Sequence, residues 1–177
     1  MRRLHLLFLF VCTILFLAGC GEPKADLANP KSFRKELVSF RMPGNWHVED
    51  EMHESGVHHF SIETDGDAIV IVQVYPEEMA NELKAFARAF SEETAKAMPM
   101  GRMSGHVLSD LPDLEGWKGM KETLNMRLAT VDIPHTRFYY TRRFGKQHGF
   151  VICQVSTEDL DKVKSGFDLV RSSLTIE

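Results

Sequence analysis

The run Ala68-Ile69-Val70-Ile71-Val72-Gln73-Val74-Tyr75, closed by Pro76, decides the fold class of this 177-residue chain. Residues of this type, mostly β-branched, favour a strand. Apolar side chains stand at both odd and even positions, so neither face suits water. The strand is predicted to be central in a sheet covered on both sides. Pro76 lacks the amide hydrogen that a ladder needs and suits the first position of a helix. Glu77 and Glu78 fit the positive end of that helix. Met79, Leu83, Phe86, Phe90 and Ala97 then recur at steps of three, four or seven, which predicts one long amphipathic helix stopped by Pro99.

Upstream of this unit, Leu37 to Met42 reads as a strand, Pro43-Gly44-Asn45 as a type II turn, and Trp46 to Glu49 as the returning strand. Val57 to Glu63 is a further strand, joined to the central one by a hairpin turn at Asp65-Gly66-Asp67. Downstream come a short strand at His106 to Ser109, a turn at Pro112, and a strand from Trp117 to Thr130. In that strand Leu124, Met126 and Leu128 alternate with Thr123, Asn125 and Arg127. Thr136 to Phe144 and Phe150 to Val155 pair around a Gly145 to Gly149 loop. Ser156 can cap a last helix, with Asp159 in the capping-box position and Leu160, Val163, Phe167 and Val170 on its buried face. Leu174 to Glu177 closes as an edge strand. Strands, a helix, a meander and a final helix make an α+β domain, an antiparallel β-sheet flanked by helices.

Phe40-x-x-Pro43-x-x-Trp46 resembles the opening hairpin of the PsbP/Mog-like family, and Phe167-x-x-Val170-x-x-Ser173 is similar to its last helix end. The family includes envelope lipoproteins of the DcrB and LpqN kind. The resemblance covers most of residues 36–177 as a pattern of structural positions. It implies an α/β/α sandwich with a non-enzymatic, partner-supporting role. It carries over no set of functional residues, because a fold does not specify an activity.

The chain opens with the layout of a secretory signal. Arg2 and Arg3 precede an apolar stretch from Leu4 to Ala18, which is shorter than the roughly 20 residues that span a bilayer. It ends in Leu17-Ala18-Gly19-Cys20, which resembles the bacterial lipobox. That resemblance implies diacylglyceryl transfer to the Cys20 sulfur, cleavage before Cys20 and acylation of the new amine. Two or more acyl chains give stable anchoring without a membrane span. Gly21, where Asp would resemble an inner-membrane retention signal, points to the outer membrane facing the periplasm. The expected organisation is a signal peptide at 1–19, a lipidated Cys20 with a polar tether over 20–35, and one domain over 36–177.

Removing residues 1–19 leaves 158, enough for one domain with a core. The removed segment holds two of the 21 basic residues and none of the 25 acidic ones, so the mature charge is −6. That sign argues against nucleic acid as a partner. The expected partners are the membrane, through Cys20, and an envelope protein. Cys153 is the one thiol left outside the signal and Cys20, so no internal disulfide can form. Between Ile152 and Gln154 in an apolar strand, it reads as core rather than as a nucleophile.

No cofactor loop and no nucleophile elbow occurs in the chain. Met98, Met100, Met103 and His106 offer thioether and imidazole donors of the type that Cu(I) prefers, and a periplasmic copper module is the alternative reading. His47, His53, His58 and His59 crowd together, but adjacent His58 and His59 point to opposite faces of a strand. They read as a solvated edge. Arg137, Arg142, Arg143 and Lys146, interleaved with Phe138, Tyr139, Tyr140 and Phe144, form a basic end suited to an acidic partner.

Overall fold

The structure, a computed structural model, describes residues 22–97, 101–128 and 130–177. The expected signal segment, residues 1–19, and Cys20 lie outside the described residues. Among the described residues, ten strands form two antiparallel sheets. The larger has seven strands in the order β3-β4-β5-β9-β8-β7-β6. They are β3 (His47–Glu54), β4 (Val57–Glu63), β5 (Ile69–Pro76), β6 (Gly101–Leu114), β7 (Trp117–Leu128), β8 (Val131–Phe144) and β9 (Gln147–Ser156). The smaller sheet holds β1 (Lys31–Lys35), β2 (Val38–Met42) and β10 (Thr175–Ile176) in the order β1-β2-β10. The described residues also form two α-helices, α1 (Leu83–Ala97) and α2 (Leu160–Ser173).

The central place expected for Ala68 to Tyr75 is the one it takes. β5 pairs with β4 on one side and β9 on the other. Val70, Val72 and Val74 join Val151, Cys153, Val155, Phe60 and Ile62 in one core, closed by Val163, Phe167 and Val170 of α2 and by Val38 and Phe40 of β2. Trp46 is fully buried in this layer, 5.7 Å from the Phe167 ring. Gly166 permits that approach, since a Cβ there would lie 2.5 Å from the Trp46 ring. The opposite face of the sheet carries Met120, Tyr139, Phe150 and Ile152 against Phe86 and Ala87 of α1.

Four expectations are corrected. The segment over 20–35 is not a tether from Glu22 onward. Ala25 is buried and its N–H donates to Lys162 O, Asp26 O accepts from Gly44 N–H, and Lys31–Lys35 is a strand. Tertiary partners thus hold a segment with no periodicity of its own. Second, β2 and β3 do not form a hairpin. β2 pairs with β1 and β10, while β3 enters the large sheet through β4. Third, the long helix does not run from Glu77. A single 3₁₀ turn, Glu77–Met79, ends at Ala80 in extended conformation, and α1 begins at Leu83. Fourth, Pro112 lies within β6 rather than at a turn. β6 is an edge strand and the register shifts between Leu111 and Leu114, which is where a ladder tolerates proline.

Candidate functional site

β7 and β8 pair so that Glu122 faces Arg137, and α1 lies over both. Arg137 is 0 % exposed and Glu122 is 3 % exposed. Two charges removed from water need partners for every donor and acceptor. They have them. Glu122 Oε2 accepts from Tyr139 Oη at 2.7 Å and from Arg137 Nη1 at 3.2 Å. Glu122 Oε1 accepts from Ser91 Oγ of α1 at 2.7 Å and lies 2.8 Å from His106 Nδ1 of β6. Arg137 Nε donates to Gln154 Oε1 at 2.7 Å, and its guanidinium lies over the Phe90 ring at 5.2 Å. Burial by itself would raise the Glu122 carboxyl, but the hydrogen bonds from Tyr139, His106 and Ser91 and the Arg137 charge hold it below the usual carboxylate range. Burial pushes the Tyr139 phenol up, so it stays a donor.

This network floors a cleft of about 530 Å³ between α1 and the sheet, lined on the helix side by Lys84, Arg88 and Glu92. Ser91, His106 and Glu122 are the residue types of a nucleophilic relay, but their geometry is not one. A relay needs the hydroxyl on one ring nitrogen and the carboxylate on the other. Here Ser91 Oγ, at 3.2 Å, and Glu122 Oε1 both address Nδ1. Ser91 donates to Glu122 directly and gains no base.

Of the copper candidates, Met98 and Met100 lie outside the described residues. Met103 pairs with Met126 in β7, and the Met126 sulfur accepts from Gln154 Nε2 at 3.6 Å. His106 is drawn by Glu122 into the buried network, past a bulge between Ser104 and Val107. Cys153 is fully buried, and burial pushes its thiol well up, the state of a packing residue. The basic end is corrected at one position. Arg137 belongs to the buried network, whereas Arg142, Arg143 and Lys146 stand at the β8–β9 turn, with Arg143 paired to Glu77 at 2.8 Å.

The histidines divide as the strand alternation predicts, and also as it does not. His59 lies on the α1 face, 3.0 Å from Gln73 Nε2. His58 points the other way, 5 % exposed. β3 and β4 join through Ser55 and Gly56, both at positive φ (52° and 83°), so His53 falls opposite His58. The two rings stack at 4.0 Å. Glu36, in the β1–β2 turn, brings its Oε2 to 3.2 Å from His58 Nδ1 and 3.5 Å from His53 Nδ1. Burial, then the neighbouring His53, holds the His58 imidazole below its usual pKa, with Glu36 acting the other way.

Known proteins were compared with this chain in three ways. No family model matches the sequence, and no curated protein does. Solved structures do. The cyanobacterial PsbP protein CyanoP from Synechocystis superposes with a TM-score of 0.56 over 90% of this chain and 96% of its own, at 15% identity. The domain has the PsbP/Mog-like fold. Two further structures of PsbP/Mog-like type align more loosely. The Ran-binding protein Mog1p from Saccharomyces cerevisiae gives a TM-score of 0.47 at 8% identity, over 84% of this chain and 95% of its own. LpqN from Mycobacterium tuberculosis, involved in cell envelope biogenesis, gives 0.40 at 11%, over 87% and 98%. At these identities the PsbP/Mog-like likeness concerns fold alone.

Proposed function

We propose that this chain is a lipid-anchored accessory protein of a bacterial cell envelope, which acts by presenting its PsbP/Mog-like domain to a protein partner and carries out no catalysis. The observation that carries this reading is the lipobox Leu17-Ala18-Gly19-Cys20 placed directly before a packed domain. Glu22, two residues after Cys20, is buried and accepts hydrogen bonds at Oε2 from Asp67 N–H (2.7 Å) and Ala68 N–H (2.9 Å). Acyl chains on Cys20 would therefore hold the domain close to the bilayer, with the Asp65–Asp67 end facing lipid. Two or more such chains suffice for stable attachment. No helix among the described residues is long and apolar enough to cross a membrane. Gly21 after the cysteine favours the outer membrane, on its periplasmic side.

The geometry of the polar groups favours the absence of catalysis. Ser91 and Glu122 compete for one nitrogen of His106, and Cys153 is sealed in the core. The surface offered to a partner is the opposite end of the strands. β9 runs from Gln147 to Ser156, and nine steps of about 3.3 Å put the β8–β9 turn roughly 30 Å from the lipid-facing end. Lys146, Arg142 and Arg143 stand there and suit an acidic partner. A photo-crosslinking residue at Lys146 should capture one discrete envelope protein in intact cells, and the same residue at Asp65 should not. Equal capture from both positions, or none from Lys146, would contradict this reading.

A further inference from the structure

We propose that Glu36, His53 and His58 form a binding site for a divalent metal ion of the zinc class, with the two imidazole Nδ1 atoms and the Glu36 carboxylate as donors. The three donor atoms lie within 4.8 Å of one another. Donors about 2.0–2.1 Å from a tetrahedral ion stand roughly 3.3–3.4 Å apart. The two contacts to Glu36 Oε2, at 3.2 and 3.5 Å, bracket that edge length. Two imidazoles and one carboxylate make a donor set that zinc takes with its fourth position left to water. Access is open, since the Glu36 and His53 side chains are each about half exposed, while His58 is buried. The two rings stack at 4.0 Å and 20°, with their in-plane lone pairs side by side, so binding requires the half-exposed His53 ring to turn out of the stack until both Nδ1 atoms face one ion. The scaffold is built from both sheets. The Ser55–Gly56 turn sets His53 against His58 in the large sheet, and Glu36 projects from the β1–β2 turn of the small one at φ 50°. A bound ion would therefore staple the two sheets together. The proposal is independent of the anchor and of the Met98–His106 stretch, since none of its three donors comes from either.

The test is titration of the full chain, purified in detergent and stripped with chelator, using Zn²⁺ alone and then Co²⁺ as a spectroscopic stand-in. The expected result is one ion per chain at about 1 µM or tighter, with intense visible bands from tetrahedral Co²⁺. His53→Gln, at a half-exposed position near the β3–β4 turn, should weaken binding by about tenfold or more. Glu36→Gln should do the same. His47→Gln, in the separate exposed group with Glu49 and Glu63, should leave it unchanged. Saturating Zn²⁺ should also raise the melting temperature of the native chain and of His47→Gln but not of His53→Gln. Absence of 1:1 binding, affinity undiminished in His53→Gln, or a pale octahedral Co²⁺ spectrum would each overturn the proposal and leave Glu36 as a simple ion-pair partner.

Discussion

The two faces of the seven-stranded sheet are built on different principles. One face, beneath α2 and the small sheet, is a continuous apolar layer from Phe60 and Ile62 across Val70, Val72 and Val74 to Val151, Cys153 and Val155. The other, beneath α1, mixes Phe86, Tyr139, Phe150 and Ile152 with a charged pair and its hydrogen-bonding shell. The first face is held by burial, which is non-directional and tolerates only matching volume. The second is held by burial and by directional contacts whose partial loss leaves an unpaired charge. The fold thus depends on both faces, but they fail in different ways. The apolar face loses stability in proportion to lost volume. The polar face loses it when one partner is removed without the other.

That contrast can be broken experimentally, beginning with its largest effect. Trp46→Ala removes one of the two largest fully buried side chains in the apolar layer and should cost about 3–5 kcal/mol, measured by urea unfolding. Arg137→Met leaves Glu122 buried without its cation and should cost about 3 kcal/mol, yet Arg137→Met with Glu122→Leu should recover most of that loss. Equal destabilisation by the single and double changes would show that the network acts by packing volume, like the other face. His106→Ala removes one contact to Glu122 from a partly exposed ring and should cost about 1 kcal/mol.

Acid should expose the same difference with a definite sign. The folded Glu122 carboxyl lies below its ordinary value of about 4.5. Its contribution is complete above that value and is lost as pH falls through the lower, folded value. Stability plotted against pH should therefore drop steeply below 4.5, and Glu122→Gln should flatten that limb. An unchanged slope in the variant would mean that other carboxylates control acid unfolding.

The apolar face was the more legible in sequence. β5 and β9 announce themselves by stretches apolar on both faces, over 69–72 and 150–153, and spacing alone finds Val163, Phe167 and Val170 of α2 and Phe86 of α1, although it also includes Met79 and Ala97, which are exposed. The polar face was not. Glu122 falls on the same side of β7 as Met120 and Leu124, so alternation sets a charge among apolar residues without naming its partner; the strand pairing that puts Arg137 opposite it and the placement of α1 over β7 and β8 supply that partner and bury both. The N-terminal segment was misread for a similar reason, because Ala25 and Glu22 are held by Lys162 and by the Asp67 turn, far away in sequence. The His53–His58 pair could have been found. A two-residue Ser55-Gly56 turn fixes the register, and counting outward from it sets residue 53 against residue 58. Strand alternation, used alone, separates His58 from His59 correctly and misses the partner across the hairpin.

In the proposed role the anchor decides how the domain is used, and that anchor rests on Cys20. Cys20→Ser should abolish incorporation of labelled palmitate and leave the protein uncleaved or released from membranes on fractionation. Palmitate labelling and membrane fractionation unchanged in that variant would contradict the account.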